Sequence, residues 1–121
     1  MKKRIVVVED FNTSRQIIKK TLEAMGHQVE EAIDGREATR FFDGSAIDLV
    51  ISDYNMPNMD GGALVEYIRS KDKYKYIPIF MLSTETNIEK QNRARDAKIT
   101  AWIKKPFEVQ EFKKLVEKVL A

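Results

Sequence analysis

The middle of the chain contains an apolar segment that ends in a carboxylate and a loop. It reads Ile47-Asp48-Leu49-Val50-Ile51-Ser52-Asp53-Tyr54-Asn55-Met56-Pro57-Asn58-Met59-Asp60-Gly61. The apolar residues 49–51 predict a buried strand of a parallel sheet, because such strands are short apolar runs bounded by turn residues. A charged residue where such a strand ends is seldom needed for packing, and open α/β sheets bind their ligands at that end. Asp53 is therefore the first candidate functional residue.

Strand-like and helix-like segments alternate five times along the chain. The other predicted strands are residues 4–8, 28–32, 77–82 and 100–103, and the predicted helices begin near residues 12, 35, 61, 86 and 108 and end near residues 25, 43, 71, 97 and 120. This alternation predicts a doubly wound α/β fold, in which right-handed crossovers cover both faces of a parallel sheet. For five strands we expect the order 2-1-3-4-5, with the half-polar second strand at an edge.

The sequence also predicts how the helices begin and which side chains they bury. Asn12 or Thr13 is expected to cap the first helix and Asp60 the third, while residues 86–89 have the spacing of a capping box. The apolar residues expected to face inward are Ile17, Ile18, Leu22, Met25, Ala38, Phe41, Phe42, Leu64, Tyr67, Ile68, Ile88, Ala94, Ala97, Val109, Phe112, Leu115, Val116 and Val119. The fourth helix has a thin apolar face, so we expect it to be the least well anchored element.

Length and composition point to one domain over residues 1–121, without an output domain of its own. There is no cysteine, which excludes disulfides, cysteine-based metal sites and thiol nucleophiles. The net charge of +2 is too small to indicate a nucleic-acid partner. The sequence has no signal peptide and no long apolar stretch, so we expect a cytoplasmic protein that does not insert into a membrane.

In the expected strand order, four strands end side by side at one edge of the sheet. Their terminal residues are Glu9 and Asp10, Asp53, Ser83 and Lys105. Two carboxylates at about 4 Å repel by roughly 1–4 kcal/mol, so a group of three favours either protonation or a bound cation. Oxygen ligands without histidine or cysteine suit Mg²⁺. A carboxylate beside Mg²⁺, an ammonium and a hydroxyl could act as a nucleophile toward a phosphoryl group.

These residues resemble a known family. The matching motifs are Val8-Glu9-Asp10-Phe11, Asp53-Tyr54-Asn55-Met56-Pro57-Asn58-Met59-Asp60-Gly61, Ser83 and Lys105-Pro106-Phe107. They resemble the receiver domains of two-component response regulators, and in particular the stand-alone, CheY-like chemotaxis type. The resemblance covers the whole chain and implies a flavodoxin-like fold with five strands and five helices.

The resemblance implies how the acidic residues act. Asp53 would accept a phosphoryl group from a sensor histidine kinase, in a magnesium-dependent reaction that the domain catalyses only on itself. Asp10, Asp53 and the backbone carbonyl of Asn55 would bind Mg²⁺, and Glu9 would bind it through water. Lys105 would pair with the phosphoryl group. Glu9 stands where the family more often has aspartate, so its longer side chain could shift a water ligand.

The resemblance also implies a switch. Ser83 would move toward the phosphoryl oxygen, Trp102 would occupy the aromatic switch position, and a cis peptide would precede Pro106. Asn55 and Glu85 would tune the phosphoryl lifetime; both are polar and could hold an attacking water, so we expect a short-lived phosphoryl state. A surface formed by the fourth helix, fifth strand and fifth helix would bind a target protein. The unphosphorylated protein would be a monomer.

The family often has glycine after the fourth helix, where this chain has Lys98, so a left-handed lysine is expected at a cost of roughly 1 kcal/mol.

Two positions have a second interpretation. Thr84 follows Ser83 and is the other hydroxyl near the strand end. Trp102 could also serve packing alone.

Other functions remain open at this point. The chain could be a phosphorelay intermediate. An aspartate-nucleophile phosphatase resembling the dehalogenase superfamily is disfavoured, because such enzymes carry a second aspartate where Asn55 stands and usually have a cap domain. A nucleotide or flavin binder is disfavoured because no glycine-rich phosphate loop follows the first strand.

Overall fold

A computed structural model, which describes residues 2–121, shows a parallel five-stranded sheet in the order β2-β1-β3-β4-β5. The strands are β1 (Arg4–Val8), β2 (Gln28–Ala32), β3 (Leu49–Ser52), β4 (Ile79–Ser83) and β5 (Ala101–Lys104). The helices are α1 (Asn12–Ala24), α2 (Gly35–Ala38), α3 (Gly61–Arg69), α4 (Ile88–Asp96) and α5 (Val109–Leu120), and single 3₁₀ turns cover Thr39–Phe41 and Asp72–Tyr74. The predicted fold class, strand order and edge position of β2 are confirmed.

Alternating strand side chains supply two apolar layers, one on each face of the sheet. Ile5 and Val7 lie on the face covered by α1 and α5, and Val6 and Val8 lie on the face covered by α2, α3 and α4. This alternation follows from the two-residue repeat of a strand. Because both faces are covered, the inner strands β1, β3 and β4 are largely apolar runs, and function is left to the loops at the carboxyl ends.

Two of the three predicted helix caps are wrong. The N-cap of α1 is Phe11 and makes no side-chain cap bond, because Asn12 already lies inside the helix, where its side chain accepts a hydrogen bond from Arg15. The N-cap of α4 is Asn87, whose side chain accepts from the Lys90 N–H at 3.0 Å.

The capping box therefore does not form at residues 86–89. The Glu85 carboxylate accepts the backbone N–H groups of Thr86 and Asn87, which places Thr86 before the helix. The third cap is confirmed, since Asp60 accepts from the Ala63 N–H at 2.8 Å.

Three residues predicted to face inward are exposed instead. Ile17, Ile88 and Val109 are 49%, 65% and 41% exposed. Ile88 and Val109 each begin a helix, where the first turn extends beyond the sheet, and Ile17 is turned about 100° around the α1 axis from the buried Ile18. The second predicted helix is also interrupted, since α2 ends at Ala38 and a 3₁₀ turn continues it.

Two backbone expectations are confirmed. Lys98 has a φ of 66°, and the Lys105–Pro106 peptide is cis. Within residues 2–121, no helix combines the length and the apolar character that crossing a membrane requires.

Candidate functional site

The carboxyl ends of β1 and β3 bring three acidic residues together. Glu9 and Asp10 directly follow β1, and Asp53 directly follows β3, where its N–H donates to the Val8 carbonyl at 3.0 Å. One carboxylate oxygen from each of the three residues lies within 4.8 Å of the other two. The strand register alone thus produces the acidic cluster predicted from the sequence.

Lys105 supplies the positive charge of this cluster. The backbone N–H of Lys105 donates to the Ser83 carbonyl at 3.1 Å, which holds Lys105 in place just after the end of β5. Its Nζ lies 3.2 Å from Asp53 Oδ2 and also donates to Glu9 Oε1. Burial disfavours the ammonium, but the hydrogen bond to Glu9 and the charge of Asp53 outweigh that cost and raise the pKa of Lys105.

Glu9 is the most buried acid of the site, at 1% exposure. Burial raises the pKa of Glu9 to about 7; the hydrogen bond from Lys105 opposes this shift and the charge of Asp53 adds to it. Its Oε2 is buried and has no hydrogen-bond partner within residues 2–121. A cation, or a water bound to one, would satisfy this atom, so the donor set fits a hard metal ion with oxygen ligands.

Asp53 is held by the backbone that follows it. Its Oδ1 accepts the N–H of Tyr54 at 2.6 Å, which leaves Oδ2 to face Lys105. Gly61 packs against the same turn, where a Cβ atom would lie 2.8 Å from Tyr54 Cα. The close approach explains why the loop ends in glycine.

The two residues predicted to act as a switch lie on the strands β4 and β5. Ser83 ends β4, is fully buried, and its Oγ accepts the Glu85 N–H at 3.1 Å, whereas Thr84 is exposed. Trp102 is partly buried on β5, and its ring centroid lies 5.9 Å from that of Tyr54. Their positions are compatible with the predicted roles, which stay predictions.

Asn55 and Glu85, the residues predicted to tune phosphoryl lifetime, are in direct contact. The Asn55 amide donates to Glu85 Oε1 at 3.0 Å. Hydrogen bonds from the Asn87 N–H, Asn55 and Lys90 lower the pKa of Glu85 to about 2. Glu85 is therefore ionised at neutral pH.

Two residues of the site were missed by the sequence analysis. Lys90 donates to both Glu85 and Asn55, and Arg15 donates to the Glu9 carbonyl at 2.8 Å and to Glu31. Neither residue belongs to a recognisable motif. A lysine and an arginine on the outer face of a helix look like ordinary solvated charges until the neighbouring loops are placed.

Comparison with known proteins assigns the family. Residues 5–117 match the family model described as the response regulator receiver domain. The chain belongs to this family. Receiver domains of this type are regulators rather than classical enzymes.

Curated and solved relatives span nearly the whole receiver domain. It is 40% identical over 119 residues to the chemotaxis protein CheY1 of Helicobacter pylori, covering 97% of this chain and 96% of that protein. The structure of the chemotaxis response regulator CheY4 of Vibrio cholerae matches with a TM-score of 0.90 and 38% identity, covering 99% of this chain and 100% of the other. The receiver domain of a signal transduction histidine kinase from Syntrophus aciditrophicus matches with a TM-score of 0.89 and 32% identity, covering 98% of this chain and 89% of the other. The predicted resemblance to a CheY-like receiver domain is thereby confirmed.

Proposed function

We propose that this receiver domain accepts a phosphoryl group on Asp53 from a phosphohistidine of a sensor histidine kinase. The observation that carries the proposal is the placement of the Lys105 ammonium 3.2 Å from Asp53 Oδ2, beside two further carboxylates. This arrangement holds a nucleophile next to a charge that can neutralise phosphoryl oxygens. A solvated acidic cluster would not need a half-buried lysine at its centre.

In the transfer, an Asp53 carboxylate oxygen forms a bond to phosphorus while the bond from phosphorus to the histidine nitrogen breaks. The electron pair of that bond stays on the imidazole, which takes up a proton. Lys105 pairs with the phosphoryl oxygens, and the Ser83 hydroxyl donates to one of them once it has turned toward the group. Tyr54 holds Asp53 in place throughout through its N–H.

We propose that the cation is Mg²⁺. Asp10, Asp53 and the backbone carbonyl of Asn55 would hold it directly, and Glu9 through water. When bound, Mg²⁺ neutralises charge on the phosphoryl oxygens and on the carboxylates. The otherwise unpartnered Glu9 Oε2 supports a role for Glu9 in this site.

The phosphodonor has an apolar surface available beside the site. A groove of about 490 Å³ is lined by Ser14, Ile17, Thr84, Lys105, Pro106, Phe107 and Val109. Lys105 belongs to both the groove and the acidic cluster, so the groove adjoins the site, and in this proposal the donor domain docks there with its histidine toward Asp53. The exposure of Ile17 and Val109, which the sequence analysis placed inside, has a function in this proposal.

The output surface would be the one formed by α4, β5 and α5. Phosphorylation would move Ser83 and Trp102 and so change this surface, which would then bind a target protein. Because the relatives include chemotaxis proteins, we propose a chemotaxis-type regulator that acts as a monomer in the cytoplasm before phosphorylation. The likeness to a receiver domain of a histidine kinase keeps a phosphorelay intermediate as the second candidate.

Intact-mass measurement after incubation with acetyl phosphate and Mg²⁺ tests the acceptor. We expect one added phosphoryl group on the wild type and none on Asp53→Asn. Asp72→Asn is the matched control, because it removes a carboxylate that is 94% exposed and lies outside the site. It should be phosphorylated as the wild type is, and EDTA should abolish the adduct in both.

The proposal fails if the wild type acquires no phosphoryl group, or if Asp53→Asn acquires one as readily. An adduct that persists for many hours at neutral pH would contradict the short lifetime expected from Asn55 and Glu85. Turnover of a simple phosphate ester would favour the phosphatase alternative instead.

A further inference from the structure

We propose that Lys90 is a positioning residue that sets the lifetime of the phosphoryl group by holding Asn55 and Glu85 together at the mouth of the site. This inference rests on the proposed function, since it concerns the fate of a phosphoryl group on Asp53. Lys90 lies in the first turn of α4, outside every motif that identified the site.

The contacts of Lys90 all lead to the acceptor. Its Nζ donates to Glu85 Oε1 at 3.0 Å and to the Asn55 side-chain carbonyl at 3.3 Å. The same ammonium lies 5.8 Å from the ring centroid of Tyr54, whose N–H binds Asp53. One lysine therefore binds Asn55, two residues after Asp53, and Glu85, two residues after Ser83, and lies near the ring of Tyr54.

The cluster is closed, so each member restrains the others. The Asn55 amide also donates to Glu85 Oε1, which makes a three-membered ring of hydrogen bonds between two loops and a helix. The other oxygen of Glu85 accepts the N–H groups of Thr86 and Asn87, which fixes the carboxylate from behind. The Glu85 side chain is only 15% exposed, so its bond to Lys90 is partly shielded from water.

The ring gives Lys90 a defined task. Hydrolysis of an aspartyl phosphate needs a water held in line with the bond from phosphorus to oxygen, and Asn55 and Glu85 are the polar groups placed to hold it. The phosphorus–oxygen bond to Asp53 then breaks with its electron pair on the carboxylate, and the water oxygen becomes part of inorganic phosphate, which carries away both water protons. Without Lys90, both side chains gain rotamer freedom and hold the water less often.

The test is the rate of phosphoryl loss from wild type, Lys90→Gln and Lys90→Arg after removal of the donor. We expect Lys90→Gln to lose the group about two- to fivefold more slowly, which corresponds to one partly exposed charged hydrogen bond. Lys90→Arg should keep most of the wild-type rate of phosphoryl loss, because arginine can donate to the same two oxygens. If Lys90 had a purely structural role, its substitution would change the free energy of unfolding, but the rate of phosphoryl loss would not differ between Lys90→Gln and Lys90→Arg.

Two further variants test whether the effect comes from charge alone and whether Lys90 acts through Glu85. Arg95→Gln removes one positive charge from the same helix, at a side chain that is 73% exposed and whose only ion pair within residues 2–121 is with the adjacent Asp96, and it should leave the rate unchanged. In a Glu85→Gln background, Lys90→Gln should have a smaller effect than in the wild type, because the charged acceptor that Lys90 and Asn55 share is already lost.

The side-chain amide resonance of Asn55 in the unphosphorylated protein gives a readout that needs no phosphoryl group. Lys90→Gln should shift it, and Arg95→Gln should not. If the wild type is phosphorylated but Lys90→Gln loses the group at the wild-type rate, the inference is overturned while the proposed function stands. If the wild type acquires no phosphoryl group, the proposed function fails first and the inference with it.

Discussion

The helices α3 and α4 are both nine residues long and cover the same face of the sheet, but they are attached by different forces. Leu64, Val65 and Ile68 of α3 are fully buried. The only buried side chain of α4 is Ala94. α4 therefore has the thin apolar face that the sequence predicts, whereas the expectation that it is the least well anchored element stays a prediction.

Charged side chains replace apolar ones in α4. Besides Lys90, the Arg93 guanidinium makes two hydrogen bonds to Glu66 on α3, at 2.8 and 3.0 Å, and lies 3.5 Å from Asp60. Burying one large apolar side chain stabilises by roughly 1.5–3 kcal/mol, whereas a partly exposed ion pair contributes about 0–1 kcal/mol. The difference indicates that α4 can shift at low cost, and such an element suits a regulated surface.

The two helices should differ most clearly in how much the free energy of unfolding falls when one apolar residue of each is truncated. Leu64→Ala is expected to lower the free energy of unfolding by about 2–5 kcal/mol, because it opens a cavity in the core. Ile88→Ala is expected to change it by less than about 0.5 kcal/mol, because the side chain is 65% exposed. Urea unfolding measures both, and equal losses would show that α4 is anchored as firmly as α3.

Removal of the ion pair between α3 and α4 should have a smaller effect. Arg93→Gln is expected to cost up to about 1 kcal/mol and to speed amide hydrogen exchange in α4 more than in α3. Arg95→Gln is the control on the same helix and should change neither quantity. High salt should bring the wild type toward Arg93→Gln, and an effect that is insensitive to salt would point to packing rather than charge.

Acidification should loosen the start of α4 through Glu85. The pKa of Glu85 is lowered to about 2 from an ordinary value of 4.5, so its contribution is present above pH 4.5 and is lost as the pH falls toward 2. The amide protons of Thr86 and Asn87, which bind this carboxylate, should exchange with solvent faster over that range relative to their intrinsic exchange rates. Glu85→Gln should remove this pH dependence, and a parallel change in α3 would mean global unfolding instead.

The acidic cluster was predictable because it depends on local rules and on one topological rule. Apolar runs mark the strands and parallel strands end at one edge. Glu9, Asp53 and Lys105 each directly follow a strand, and Asp10 comes one residue after Glu9. The helix caps were less predictable. The capping box does not form, because the Glu85 carboxylate accepts the Thr86 N–H that the Glu89 side chain would bind in a capping box.

The sequence by itself thus determined the fold class, the strand order and the group of side chains around Asp53, since periodicity and strand-end residues are read locally. Only the tertiary structure decided that Lys90 and Arg93 hold α4, and that Ile17 and Val109 line an open groove. The partners of Lys90 and Arg93 lie on other elements, up to 35 residues away along the chain. Whether an outer lysine is solvated or bound depends on which loop lies across from it, and that is set by packing rather than by local sequence pattern.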